Sequence, residues 1–216
     1  MTDRIIFVSA KTFEANRYSE FFTRKSVLIH NGVRISNDQG IRNHYTMLYA
    51  CRIDKKHASV ISMLIRNVLP GIISDFPDVT FEIIGDGKFL EDLRKEAGIL
   101  NRKYNREICR FHGYLNDVRS VVNRSGIVMG VGRVALEALS CSVPVISLNR
   151  MFLGQMITKE NYEFYRMNNF VAIDHEEPDP YPRHRNARRC IRAPLRGGGP
   201  LRRHPDPGGR TGEECL

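Results

Sequence analysis

Apolar positions along the chain fall into short runs whose spacing switches between the period of a strand and that of a helix. Residues 4–9 (RIIFVS) and 26–30 (SVLIH) read as buried strands, and Asn31-Gly32 stops the second with a strong turn signal. The polar segment between them carries aromatics and fits a helix. Residues 35–44 are polar and read as loop, and residues 45–51 as a third strand. Across 58–76, Val60, Met63, Leu64 and Val68 repeat at helical spacing, and Pro70-Gly71 should bend or split that helix. Strands are then expected at 79–84, 108–112, 126–129 and 144–147, alternating with helices at 88–100, 115–123, 133–140 and 159–167.

Strands alternating with helices across short connections call for an α/β fold, a Rossmann-like parallel sheet with helices on both faces. Such sheets bind ligands at the carboxyl ends of their strands, which is where the glycines of this chain fall. With 216 residues and 42% apolar content the chain can bury a core. The apolar stretch 60–73 is interrupted by Arg66, Asn67 and Pro70, so no bilayer span is expected. Residues 1–10 are too short and too charged for a signal peptide. The five cysteines (51, 109, 141, 190, 215) show neither a CxxC pair nor metal spacing and read as reduced thiols of a cytoplasmic protein.

Charge is spread unevenly along the chain. The net charge is +9, but residues 181–216 hold 9 Arg and 3 acidic residues, a net of +6. That segment also carries 6 of the 17 Gly and 5 of the 10 Pro, and it reads as a disordered tail. Its abrupt shift in composition resembles out-of-frame translation of GC-rich DNA, so no folded role is expected of it. No aromatic is interleaved among its arginines after Tyr181, and nucleic acid is not an expected partner.

The most informative stretch lies at 129–139. A short apolar run ends in Gly130-Val131-Gly132, and a helix-forming segment follows with Arg133 near its start and Glu137 on its second turn. Strand, glycine turn and helix start make an anion cradle, because glycines admit a ligand close to the backbone and the first helical N–H groups face it. A carboxylate one turn on can accept hydrogen bonds from sugar hydroxyls. Diphosphate plus hydroxyls suggests a nucleotide-sugar.

Five segments in order then resemble the donor-binding half of GT-B glycosyltransferases of the family 4 (group 1) type. They are SVLIHNGV, YACRIDKKHA, FEIIGDGKFLEDLRKEA, CRFHGYLNDV and GVGRVALEALSCSVPVI, and the likeness runs from about Arg4 to Phe170. The resemblance implies residues 1–34 as the end of an N-terminal lobe with the interlobe connection. It implies residues 35–180 as the nucleotide-sugar-binding domain, followed by the tail at 181–216. It also implies transfer of a hexose, with retention and without an essential metal or other cofactor, to a glycan or lipid-linked acceptor. Such acceptors would allow peripheral association with the inner face of a membrane, and the acceptor would belong mainly to an N-terminal lobe missing here. The alternative is a non-catalytic nucleotide-sugar-binding module that needs a separate acceptor-binding subunit.

Carried over residue by residue, the resemblance puts Arg52 on the diphosphate, where a guanidinium stabilises the charge of the leaving group. Gly85 and Gly87 fall on the glycines after the second main strand, although a plain strand-to-helix turn with an acidic cap fits them equally. Gly113 and Tyr114 fall beside the nucleobase, Gly130, Val131, Gly132 and Arg133 on the phosphate and sugar loop, and Glu137 on the ribose. The sequence departs from the pattern at His57, which stands where the family has Lys. Either Lys56 substitutes through a shifted loop, or the diphosphate loses a permanent charge. Met129 replaces the first acid of the family's paired acids, and Ser142 a glycine before the proline.

Overall fold

The computed structural model describes residues 4–18, 20–35, 41–149, 153–172 and 183–197. The first elements are β1 (Ile5–Phe7), α1 (Ala10–Ala15), α2 (Glu20–Lys25) and β2 (Ser26–Leu28), with β1 and β2 paired in parallel as a two-stranded sheet. Ser9 opens α1 by accepting from the Thr12 N–H. Neither strand of this small sheet is buried, and Ile6, Val8, Phe21 and Ile29 are exposed.

The main domain runs β3 (Asn43–Ala50), α3 (Lys55–Met63), a π-helical turn (Leu64–Val68), α4 (Leu69–Asp75), β4 (Thr80–Ile84), α5 (Leu90–Lys103) and β5 (Cys109–Gly113). It continues through α6 (Arg119–Arg124), β6 (Ser125–Gly130), α7 (Gly132–Ser140), β7 (Val145–Leu148), β8 (Leu153–Met156), α8 (Tyr162–Met167) and α9 (Arg183–Gly197). Among the described residues these strands form one six-stranded sheet in the order β5-β4-β3-β6-β7-β8. Counted from β3, that order is 3-2-1-4-5-6, the doubly wound arrangement whose direction reverses between its first and fourth strands. All pairs are parallel except β7 with β8. The sequence reading has no counterpart for β8, whose Gly154 and Gln155 dilute its apolar pattern.

Both faces of the sheet are covered. Met47 and Tyr49 of β3, Phe81 and Ile83 of β4, and Ile127 and Met129 of β6 pack under α3, the π turn, α4, α5 and α9. Leu48, Ala50, Ile84, Val128 and Val145 face the other way, under α6, α7 and α8. Strands buried on both sides lose the polar alternation of an exposed sheet, which is why they read as continuous apolar runs. One buried charge interrupts this core: Glu82 on β4, held by His112 Nε2 at 3.1 Å, Arg124 at 3.5 Å and Arg110 at 3.9 Å.

Pro70 does not split the long helix. The chain absorbs it by widening the preceding turn to a π-helix, and Lys55–Asp75 continues as one 21-residue helical run. By length and composition alone this run could cross a membrane, but its apolar residues, Val60, Ile61, Leu64, Ile65, Val68, Leu69 and Ile72, are packed against the sheet. Donors from a second helix reach the backbone on either side of the proline. Arg188 of α9 donates to the Asn67 carbonyl, and Arg192 to the Gly71 carbonyl at 3.4 Å.

That helix is the main correction to the sequence reading. Arg183–Gly197 falls inside the segment expected to be a tail without a folded role, yet it is docked on the domain. Ala187, Ile191 and Leu195 stand four residues apart, so one row of the helix is apolar and completely buried against the core. Arg192 also pairs with Asp75 at 2.6 Å. Three apolar residues dispersed among arginines vanish in composition but not in periodicity. Residues 181, 182 and 198–216 of the expected tail lie outside the described residues.

Candidate functional site

The switch point lies between the carboxyl ends of β3 and β6. Their register pairs Tyr49 with Met129, so Arg52 and Gly132 each stand three residues beyond a paired position, on adjacent strand ends. Arg52 is exposed there. On the facing strand end, Val131 is the N-cap of α7 in extended conformation with no side-chain cap, and Gly132 opens the helix at φ +53°. The Gly132 N–H donates to the Asn169 carbonyl at 2.9 Å. Arg133 and Val134 follow in the first turn, where an α-helix offers its N–H groups no intrahelical acceptor.

Glu137 lies one turn further along the same face as Arg133, and Arg133 Nε donates to its Oε1 at 3.0 Å. The arginine side chain is 81% exposed and the glutamate only 15%. With its arginine largely in solvent, a helical pair of this spacing stabilises by only about 0.3–0.5 kcal/mol, and a carboxylate retains acceptor capacity for hydroxyls beside it. Arg52, Gly130, Val131, Gly132, Arg133 and Glu137 are thus brought to one end of the switch point.

Gly85 and Gly87 do different work. A Cβ on Gly85 would come 1.8 Å from the Cys51 carbonyl oxygen, and one on Gly87 2.1 Å from that of Ile53. Close backbone approach lets Ile53 N–H reach the Asp86 carbonyl at 3.0 Å and Gly85 N–H the Gly113 carbonyl at 2.8 Å. The two glycines therefore buttress the segment that presents Arg52. Gly85→Ala should destabilise the domain by about 1–3 kcal/mol, the scale of core overpacking, read from urea unfolding. A change within error would show that this turn can open without cost.

Lys56 and His57 separate cleanly. Asp54 is the N-cap of α3, and its Oδ1 accepts from the N–H groups of both residues at 2.9 Å. Lys56 is exposed on the first turn, whereas the His57 ring is buried and its Nδ1 lies 3.0 Å from the Tyr49 hydroxyl. Position 57 faces the core. Gly113 and Tyr114 close the edge strand β5, three strand positions from β6, and Tyr114 is exposed. They stand apart from the Arg52–Gly132 cluster.

Behind Arg52, burial pushes the Cys51 thiol up to about 12, with Asp54 adding to the shift, and burial likewise raises Tyr49 well above its ordinary value. Burial drives Cys109 to about 12 as well. Starting from 9.0, shifts of this size cut the thiolate fraction at pH 8 by a factor on the order of 10³. Both cysteines should resist iodoacetamide in the native chain and react promptly in 6 M guanidinium, as peptide mass mapping would show. Their sign is that of a raised acid: the stability they contribute is intact below about pH 9 and is lost as pH climbs toward 12. Among the described residues no group of three or more His, Cys, Asp or Glu side chains could hold a metal ion.

Sequence reasoning missed Asn169, whose carbonyl occupies the Gly132 amide. It lies 37 residues away in the chain, and only the folded contact reveals it.

A doubly wound sheet with a glycine turn, a basic residue and a helical acid at its switch point is an arrangement common among α/β lobes that bind ligands at their strand ends. The family model for glycosyl transferases group 1 matches residues 44–173, and the chain belongs to that family. An uncharacterized glycosyltransferase of Methanocaldococcus jannaschii is 26% identical over 166 residues, covering 72% of this chain and 43% of that protein. The structure of a point mutant of S. aureus TarM with fondaparinux, alpha-GlcNAc-glycerol and UDP superposes with a TM-score of 0.61 at 16% identity, covering 90% of this chain and 37% of that one. The pneumococcal O-GlcNAc transferase GtfA with UDP and GlcNAc gives 0.59 at 16% identity, covering 89% and 37%. The fold is one lobe of a GT-B glycosyltransferase. The chain spans about two fifths of the length of these relatives.

Proposed function

We propose that this chain supplies the donor half of a retaining glycosyltransferase, which moves a hexose from a nucleoside-diphosphate sugar to a glycan or lipid-linked acceptor. The observation that carries this reading is the placement of Arg52 and the Gly130–Glu137 turn just beyond the ends of adjacent parallel strands at the switch point. The diphosphate lies against the Arg133 and Val134 amides and the positive end of α7, with the Arg52 guanidinium opposite. Glu137 accepts hydrogen bonds from the ribose hydroxyls, and the base extends toward Gly113 and Tyr114. As the anomeric bond breaks, negative charge grows on the leaving diphosphate, and Arg52, Lys56 and the helix terminus stabilise it without an essential metal. Gly85 and Gly87 act through the segment they support. The presence of UDP in the TarM and GtfA structures supports the class of donor.

Calorimetric titration of the folded chain against UDP, GDP and ADP, with and without their sugars, tests this reading. Binding of one member is expected, and silence across the panel would end it.

A second reading rests on a separate observation. A parallel two-stranded sheet is not self-sufficient, and β1 and β2 leave Ile6, Val8, Phe21 and Ile29 uncovered. In this reading the chain is a nucleotide-sugar-binding module, and a separate acceptor-binding subunit covers that surface. Both readings suit a protein working in the cytoplasm, at the inner face of a membrane where the acceptor is lipid-linked.

A further inference from the structure

The turn after α8 contains two consecutive non-glycine residues with positive φ, Asn169 at +53° and Phe170 at +58°. The first has a local explanation. Asn169 N–H donates to the Arg166 carbonyl at 3.1 Å and Phe170 N–H to that of Tyr165 at 2.7 Å, a helix-closing motif that uses a left-handed residue and accepts Asn there. The second has none: a buried aromatic in this region is a steric outlier, held in place by its surroundings. Its ring packs against Tyr162 at 5.8 Å, and Ala172 N–H is tied to the Leu148 carbonyl at 2.9 Å.

The turn held in this way aims two groups of Asn169 in different directions. Its backbone carbonyl takes the Gly132 N–H at 2.9 Å, at the head of α7. Its side-chain Oδ1 accepts from Asn31 Nδ2 at 2.8 Å, 138 residues earlier in the chain. The contact around Gly132 is close, since a Cβ there would lie 3.2 Å from Asn169 Nδ2. Asn31 belongs to the segment between β2 and the main sheet, so three parts of the chain meet at one amide. A cleft of about 260 Å³ lined by Val8, Asn31, Leu136, Tyr162 and Phe170 runs alongside, between the N-terminal segment and α7.

We infer that Asn31 is a positioning residue for the nucleotide loop: through Asn169 it fixes the Gly132 amide, and so couples the N-terminal segment to donor affinity. The inference rests on the function proposed above. One amide of the cradle is spent on protein, and the remaining first-turn amides take their direction from it. Movement of the N-terminal segment pulls on Asn169 and rotates the cradle, so donor binding senses where that segment sits.

The test uses the full chain, with UDP, GDP and ADP titrated in parallel and amide hydrogen exchange measured at Gly132 without nucleotide. Asn31→Leu keeps the volume and removes the donor, and should raise the dissociation constant about five-fold, the scale of one lost hydrogen bond, while speeding exchange at Gly132. Asn31→Asp should restore both, because the Asn169 amide can turn over and donate. Asn169→Gly keeps the backbone carbonyl and tolerates positive φ, so it should match Asn31→Leu, and the double variant should be no worse than either. A purely structural role would lower the unfolding temperature and leave both the dissociation constant and Gly132 exchange at the parent values. If the wild type binds a nucleotide and Asn31→Leu binds it equally well with unchanged Gly132 exchange, the coupling is wrong and the function stands. If the wild type binds none of the three, the function fails and the coupling with it.

Discussion

Replacing Ile191 with aspartate will unfold the domain at much lower denaturant, at a cost of about 4 kcal/mol or more. The side chain is fully buried between the sheet and the α3–α4 run. Truncating a buried isoleucine alone costs about 2–5 kcal/mol, and the introduced carboxyl either stays charged without a partner or takes up a proton to remain inside. Arg189→Ala, on the exposed side of the same helix, should fall within about 0.5 kcal/mol of the parent. Urea unfolding of the two variants makes the comparison. Equal midpoints would mean that α9 is not part of the folded domain and that the disordered segment read from composition begins at residue 181 after all. A large gap would fix α9 as the element that covers the π turn and supplies donors to the Asn67 and Gly71 carbonyls.

How α9 escaped the sequence reading shows where such reading works. The sheet was legible because its strands, buried on both faces, concentrate apolar residues without interruption, and because glycines mark their carboxyl ends. Expected and observed strands differ by one or two residues, apart from β8, a short antiparallel edge element. In α9 the buried row is only Ala187, Ile191 and Leu195, so any average over the segment reports arginine. At the site, the 130–133 turn and Glu137 were legible as a strand, a glycine turn and a helix start, and Arg52 only through the family resemblance; the strand order that sets them on adjacent strand ends came with the fold. The turn of the His57 ring toward Tyr49 could not, since it depends on Asp54 capping α3 and fixing which face of the first turn is inward. The glycines at 85 and 87 were visible, but their use against the backbone of residues 51–53 is a tertiary contact with no local signature. The Asn31–Asn169–Gly132 chain is of the same kind.

Glu137→Ala should weaken nucleoside diphosphate binding by about 1–3 kcal/mol, and Arg52→Ala by a similar amount, because each removes a hydrogen-bonding group that carries charge. The two losses have different signatures. In the proposed complex Arg52 meets phosphate as a full charge, so its contribution should shrink as salt rises from 50 to 500 mM, whereas hydrogen bonds from a ribose to Glu137 should respond less. Glu137→Gln keeps one carbonyl acceptor and should recover part of the loss, while Arg52→Lys keeps charge without the planar fork and should recover less than charge alone suggests. Stability is not the confounder here. Glu137 is tied to the mostly exposed Arg133, and losing that pair costs a few tenths of a kcal/mol. Calorimetric titration against the preferred nucleotide at two salt concentrations reads all four variants. If Arg52→Ala and Glu137→Ala both bind as the parent does, then whatever this chain binds does not lie between β3 and β6. The geometry of the switch point would then hold the fold together without reading a nucleotide.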